Sequence, residues 1–435
     1  MSDYVKFLRD TSPYINAHRG KTFVLALTGE AIAHGNFTNI VHDIALLHSL
    51  GIKLVLVHGA RPQIEERLAN CAIAPRFDQN TRITDSATMA CVKDAVGSAR
   101  ITIEAKLSTG AVNSPMHGAR IRVFGGNLIT AKPLGVRDGV DFHHTGEVRR
   151  IDQKAIQKQL DDGALVLLSP IGYSPTGEAF NLNFEDIATQ ASVSLGAEKL
   201  IMFSADNGIT DSEGKLLKML SLNEVPKYLT LQGANPALQR DLMACYQACE
   251  KGVLRSHIIS YADNGALLTE LFTREGSGTL ILKNGKEVIR QATIDDVGGL
   301  LELIEPLEQK GVLVKRSREL LETEITRFTV MQHAEGTLVG CAALYPFSDG
   351  ASAELACVAT HPDFQNRGFA TRLLAQIEVQ AIQKGIKQLF VLTTHASDWF
   401  REKGFAESSL DDLPTERKSL YNFQRKSRIF SKNLP

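Results

Sequence analysis

The chain has 435 residues, 43% of them apolar, and its 48 Lys and Arg nearly balance 49 Asp and Glu. That apolar share builds real cores and excludes a disordered or fibrous chain. A net charge of −1 leaves no bulk basic field for nucleic acid or an anionic membrane. At roughly 150 residues per domain the length suggests two or three domains. The longest apolar runs, such as 54–57 and 164–168, fall far short of the roughly 20 residues that span a bilayer. The N-terminus has no signal-peptide core. The expectation is a soluble, cytoplasmic protein with no nucleic-acid or membrane partner. The six cysteines lack the paired spacing of a zinc site. No metal is expected, and Cys245 and Cys249, on one helix face, read as packing.

In chain order, an apolar run at 22–27 (TFVLAL) ends at Gly29. A helical stretch follows at about 40–50, then a second run at 53–57 (KLVLV) closed by His58 and Gly59. Further strands are expected at 120–124, 164–169, 200–203 and 280–282. Continuous apolar strands separated by helices predict a parallel sheet covered on both faces. Ligands of such sheets sit at the carboxyl ends of strands, which points to the loops after Leu27, Val57 and Ser169. The polar stretch 283–287 is turn chemistry and separates a domain at 1–282 from one at 288–435. Beyond it the spacing predicts a strand near 288–292 and a helix from 294 to about 308. Strands follow near 327–332, 338–345, 353–359 and 388–393.

The stretch 353–374 reads AELACVATHPDFQNRGFATRLL. A strand runs into the turn His361-Pro362-Asp363, then Gln365-Asn366-Arg367-Gly368-Phe369-Ala370, and a helix opens. The first amides of a helix are unpaired and carry the positive end of its dipole, so they bind phosphate. Gly368 lets the backbone approach an anion without a Cβ, and Arg367 adds charge. A strand–loop–helix turn with a capping glycine shares this pattern. The whole stretch, however, resembles the Gcn5-related N-acetyltransferase (GNAT) family, whose acetyl-CoA motif Q/R-x-x-G-x-G/A is met by Gln365, Gly368 and Ala370. The run 398–405 (DWFREKGF) resembles the same family's closing helix and turn.

This resemblance implies a mixed-sheet α/β domain using acetyl-CoA as co-substrate. Main-chain groups of Cys357 and Val358 would hold pantetheine, and amides from Gln365 to Ala370 the pyrophosphate. An amine attacking a thioester must be neutral, so a base or a water relay is needed. Glu354, on the strand beside the acetyl site, is the candidate base. Phe400 stands where many family members carry a tyrosine as acid for the leaving thiolate. Thr393, Thr394, Ser397 or water are then the candidates for that role.

Two basic runs flank this domain's core, 312–319 and 421–428. Most of their charges read as solvated, but Arg316 and Arg425 are candidates to turn inward. An acceptor with two carboxylates would need two bidentate guanidinium forks.

The first domain resembles the amino-acid kinase family, most closely acetylglutamate kinases, in 23–30 (FVLALTGE), 57–60, 168–183 and 271–280. That implies an αβα sandwich with a mostly parallel sheet. Kinases of this family carry a lysine in the first strand; here Ala26 occupies that place, and Thr28 replaces the first glycine of a pair. The glycine-rich turn after Val57 is reduced to Gly-Ala-Arg. Phosphoryl transfer depends on positioned positive charge, so the kinase reaction is expected to be lost.

A kinase-like domain followed by a GNAT domain resembles the N-acetylglutamate synthase family, over essentially the whole chain. The family implies L-glutamate as acceptor, acetylated in the first step of arginine biosynthesis, with Arg316 and Arg425 as clamps and Ser427 as their neighbour. It also implies L-arginine as a feedback effector in the first domain, at Tyr14, His257, Glu270 and Gly276. A homo-oligomer is expected, a hexameric ring among the arrangements. The alternatives are an enzyme that keeps kinase activity, and an arginine sensor whose transferase domain acetylates another amine.

Overall fold

The computed structural model describes residues 3–110, 114–230, 235–273, 276–282, 287–333, 337–365, 368–394, 396–418 and 427–435. The chain divides into two compact units, Met1–Gly285 and Lys286–Pro435.

In the first unit, among the described residues, eight strands form one sheet. Their order is Met219–Ser221, Thr279–Leu282, Arg255–Ser260, Lys199–Ser204, Thr22–Leu27, Lys53–His58, Leu165–Leu168 and Val123–Phe124. Neighbours run parallel except Arg255–Ser260 against Thr279–Leu282. Successive side chains of a strand point to opposite faces, and here both faces are buried. Phe23, Leu25 and Leu27, with Leu54 and Leu56, pack against the helices Phe37–Ser49 and Ser86–Leu107. Val24 and Ala26, with Val55 and Val57, pack against Phe184–Ser194 and Pro236–Glu250. The result is the expected αβα sandwich. Fully burying each such Phe, Leu or Ile contributes about 1.5–3 kcal/mol. Cys245 and Cys249 both lie in the second of these layers.

Two details differ from the expectation. The strand at 120–124 shrinks to Val123–Phe124, which pairs only with Leu165 and Val166. A smaller sheet of Ala179–Asn181, Ile171–Tyr173, Ile129–Pro133 and Gly146–Ile151 has no counterpart in the sequence reading. Two of its strands are only three residues long and the other two carry charges, so no long apolar run marks them.

The second unit holds one mixed sheet. Among the described residues its order is Val288–Gln291, Phe328–Gln332, Leu338–Pro346, Ser352–Thr360, Gln388–Thr393, Arg428–Asn433 and Ala406–Ser408. Only Ser352–Thr360 and Gln388–Thr393 are parallel neighbours. The helix Phe369–Gln383 covers one face and Val297–Gln309 the other. The helix expected from residue 294 opens as a separate turn, Ile294–Asp296, held by a capping box between Thr293 and Asp296. No described helix is long and apolar enough to cross a membrane.

Candidate functional site

The parallel strands of the second unit stay together for only three residue pairs, Ser352–Gln388 to Glu354–Phe390. Beyond them they splay. A bulge bends the first strand: Cys341 opposes Ala359 and Ala343 opposes Ala356, so two steps on one side face three on the other. Cys357 takes the extra position with φ +52°. A bulge shifts side-chain parity, and the cores record it. Ala353 and Leu355 pack beneath the Phe369–Gln383 helix, whereas Cys357 and Ala359 face the Val297–Gln309 helix.

The splayed strands leave a cavity of about 470 Å³. Leu355–Val358 line one wall and Val391–Thr393 another, with Trp399 and Phe400 beside them. The edges freed by splaying present main-chain donors and acceptors to an extended amide-bearing ligand. The floor is the start of the Phe369–Gln383 helix. Its N-cap, Gly368, has φ +78° and no side-chain cap. Space does not demand glycine there, since an added Cβ meets nothing within 4 Å; the left-handed backbone does. Gly368, Phe369 and Ala370 line the cavity with Gln365, so a 15-residue helix aims its free amides into it. Asn366 and Arg367 lie outside the described residues.

Of the proton-transfer candidates, Thr393 lines this cavity and Thr394 does not. The Thr393 hydroxyl accepts the Ala396 N–H at 3.1 Å. Glu354 is absent from the lining. It sits across from Tyr345, and both its oxygens are held in the Arg417 fork: Nε to Oε2 2.5 Å, Nη2 to Oε1 3.1 Å.

Arg316 is half-buried between the exposed Lys315 and Ser317. Its backbone N–H donates to Glu308 Oε1 at 2.9 Å, and its Nη1 to the Val314 carbonyl at 3.0 Å. Burial opposes its charge, but the neighbouring Cys357, Tyr345 and Glu308 outweigh that and raise its pKa. Tyr345 in turn donates to Glu324 Oε2 at 2.8 Å. Ser427 is buried at the head of the Arg428–Asn433 strand. Arg425 lies outside the described residues.

A second constellation sits in the first unit. His257 is fully buried, with Nδ1 2.7 Å from Glu270 Oε1 and Nε2 3.5 Å from Lys199 Nζ. A carboxylate only accepts and an ammonium only donates, so neutral His257 carries its hydrogen on Nδ1. Burial and then Lys199 push its pKa down to about 4. Glu270 Oε2 accepts the Ser277 and Gly278 amides at 2.7 and 2.9 Å. Burial alone would raise the Glu270 pKa; these bonds and His257 bring it down to about 2. Gly276 has φ +60°, and a Cβ there would come within 2.6 Å of Glu270 Oε2. Tyr14 packs on the same side of the sheet, 6.5 Å from the His18 ring, which reaches the Leu271 carbonyl at 3.0 Å.

Sequence reasoning missed Lys199, 1% exposed. The available signal was a lone charge heading a buried apolar strand, a position charges occupy only when partnered. Ala26 packs into the core. The loops after Leu27, Val57 and Ser169 line a separate cavity of about 420 Å³. Among the described residues no group of three or more His, Cys, Asp or Glu is arranged to hold a metal ion.

Residues 21–260 match the amino acid kinase family and residues 299–407 the acetyltransferase (GNAT) family. The chain is 57% identical over its full length to an amino-acid acetyltransferase of Ectopseudomonas mendocina, all of which is covered. One of Azotobacter vinelandii is also 57% identical, with both chains fully covered. The fold is similar to a crystal structure of N-acetylglutamate synthase from Neisseria gonorrhoeae complexed with coenzyme A and L-arginine. That match has a TM-score of 0.87 and 37% identity, over 100% of each chain. The same protein complexed with coenzyme A and N-acetyl-glutamate gives a TM-score of 0.63 at 37% identity, again over 100% of each chain.

Proposed function

The chain belongs to the amino-acid acetyltransferase family, an amino-acid kinase domain joined to a GNAT domain that uses acetyl-CoA, and on that premise we propose that its acceptor is L-glutamate. The products are N-acetyl-L-glutamate and CoA, in the first step of arginine biosynthesis in the cytoplasm. The observation that carries this is the half-buried Arg316 beside Cys357, at the bulge that opens the acetyl-CoA cavity. A guanidinium held there, next to the strand edge that takes the thioester, suits a carboxylate-bearing amine. N-acetyl-glutamate bound to the Neisseria relative supports the same choice.

In this reading main-chain groups of Cys357 and Val358 hold the pantetheine arm. The amides of Gln365 to Ala370, together with Asn366 and Arg367, take the pyrophosphate. Arg316 and Arg425 clamp the two carboxylates of glutamate, with Ser427 beside them. The neutral amine attacks the thioester carbon; the new C–N bond forms as the C–S bond breaks and CoA leaves as thiolate. The surplus amine proton passes through water to Glu354, whose oxygens each keep a lone pair that the Arg417 fork leaves open. Thr393, or water, supplies a hydrogen bond to the leaving sulfur, and Thr394 acts only through Thr393. Low-energy thiolate departure asks little of that acid.

Residues 1–282 form the regulatory, kinase-inactive domain, 283–287 a linker and 288–435 the catalytic domain. L-arginine is the feedback inhibitor, taken by Tyr14, His257, Glu270 and the main chain at Gly276. Lys199 orients His257 in that pocket, and the working assembly is a homo-oligomer. L-arginine bound to the Neisseria relative supports the effector. The experiment is a thiol-release assay with acetyl-CoA and L-glutamate, with and without L-arginine. Turnover that arginine suppresses is expected. Turnover with other amines but not glutamate would overturn the acceptor, and turnover blind to arginine would overturn the effector.

A further inference from the structure

The direction of a guanidinium fork decides what it can bind, and the loop around Arg316 sets only part of it. The Arg316 backbone N–H is held by Glu308 Oε1 at 2.9 Å, in the last turn of the Val297–Gln309 helix. The next residue, Ser317, caps the Arg318–Glu324 helix, its hydroxyl accepting the Leu320 N–H at 3.2 Å. The chain is thereby fixed on both sides of Arg316. Its side chain then crosses several rotatable bonds before the fork. One bond, from Nη1 to the Val314 carbonyl at 3.0 Å, leaves the other nitrogens to be steered.

Tyr345 stands beside that fork. It lies on the Leu338–Pro346 strand, directly across from Glu354, and packs with Leu313 and Cys357 on the Val297–Gln309 side of the sheet. A phenol has one hydrogen and two lone pairs. The Tyr345 hydrogen goes to Glu324 Oε2 at 2.8 Å, so its oxygen presents lone pairs to Arg316. A guanidinium only donates, and the two groups match. Burial, then Glu324, push the Tyr345 pKa up to about 12, which keeps it a neutral phenol at physiological pH.

Glu324 closes the helix that begins two residues after Arg316. Its charge is answered by Arg327, whose Nη1 is 3.8 Å from Glu324 Oε1 and whose guanidinium carbon is 4.9 Å from the Tyr345 ring centroid. Among the described residues Arg316 makes no ion pair with Glu324. A direct pair would cancel the charge that a substrate carboxylate needs. A phenol between the two orients the fork and leaves its charge in place.

We propose that Tyr345, oriented by Glu324, is a positioning residue that holds the Arg316 guanidinium toward a carboxylate of the acceptor. This rests on the reading of L-glutamate as acceptor and of Arg316 as one of its clamps. Tyr345 acts through Arg316 and not on the reacting atoms.

The test is a double-mutant cycle in the full chain, read by kcat and by the KM of each substrate. Tyr345→Phe is expected to raise the glutamate KM about tenfold, the size of a lost hydrogen bond to a charged group. Its kcat and acetyl-CoA KM should stay near the parent's. In an Arg316→Ala background the same change is expected to add nothing. Glu324→Gln, which keeps an acceptor and removes the charge, is expected to give a smaller rise, about threefold. It takes the place of Tyr345→Phe in the cycle if urea midpoints show that variant unfolded. A raised glutamate KM in Arg316→Ala with parental values in Tyr345→Phe and Glu324→Gln overturns the positioning role and leaves the glutamate reading standing. An equal rise in both backgrounds, or equal losses for both substrates, overturns it as well. A parental glutamate KM in Arg316→Ala overturns the clamp and this inference with it.

Discussion

Glu354 and Arg417 meet in a two-point fork, with contacts of 2.5 and 3.1 Å, and both side chains are largely withdrawn from water. The carboxylate closest in sequence to the Cys357 bulge is therefore already engaged, and its role separates cleanly by mutation. If Glu354 receives the amine proton through water, Glu354→Gln lowers kcat by about 100-fold or more and leaves the acetyl-CoA KM nearly unchanged. A raised glutamate KM with kcat intact would make Glu354 an anchor for Arg417 and nothing more. Steady-state kinetics with both substrates varied decides it.

Arg316→Ala is expected to raise the glutamate KM by about 10- to 100-fold, as loss of a charge-assisted fork does. Acetyl-CoA binding should barely move. Equal losses for both substrates would point to a packing defect around Cys357 and Tyr345 instead.

Gly368→Ala tests the helix floor. The added methyl meets no atom, so the cost is the left-handed backbone, about 1–2 kcal/mol. Part of that strain should appear as a displaced first turn and a higher acetyl-CoA KM, read by titration with CoA. Unchanged CoA affinity would remove the first turn from the pyrophosphate site.

Glu270→Gln keeps the shape of the His257–Glu270 cluster and removes its charge. Arginine inhibition is expected to weaken by about tenfold or more, with a stability loss of about 1–3 kcal/mol from the disturbed His257, Ser277 and Gly278 bonds. Undiminished arginine sensitivity in a folded variant would move the effector pocket elsewhere.

The first unit should respond to pH in two opposed directions. His18 and His257 are both held down to about 4, against 6.5 when unfolded, with burial the main cause. Between pH 6.5 and 4 the unfolded chain takes up protons that the folded one refuses. Stability is therefore lost as pH falls through that window, at up to about 1.4 kcal/mol per unit for each group. Asp241, raised to about 8 by burial and then Glu185, works the other way. The folded chain keeps its proton from pH 3.8 up to about 8, so stability declines as pH rises there. Asp241→Asn should gain on the parent chain steadily from pH 4 to 8, and His18→Gln should flatten the acid limb. Urea midpoints across pH measure both, and parallel curves for parent and variant would refute either assignment.

Much of this architecture was legible in the residues. The runs at 22–27, 53–57 and 388–393 are apolar enough to be buried strands, and the structure places strands at Thr22–Leu27, Lys53–His58 and Gln388–Thr393. The loops after Leu27, Val57 and Ser169 do line a cavity, because parallel strands end together and their connections gather at one edge. Gly368 was readable as a backbone position because only glycine adopts its φ without strain.

The sequence by itself determined what depends on local order: periodicity, turn chemistry, the loop from Gln365 to Ala370, and the loss of a lysine at Ala26. Tertiary structure alone decided which distant residues meet. Lys199, His257 and Glu270 come from a strand, its neighbour and a following helix. Arg417 reaches Glu354 across 63 positions, and Arg61, Arg82 and Arg240 converge from separate elements. No pattern in the chain announces such meetings. The energy of a buried charge depends on partners that only folding brings within hydrogen-bond distance.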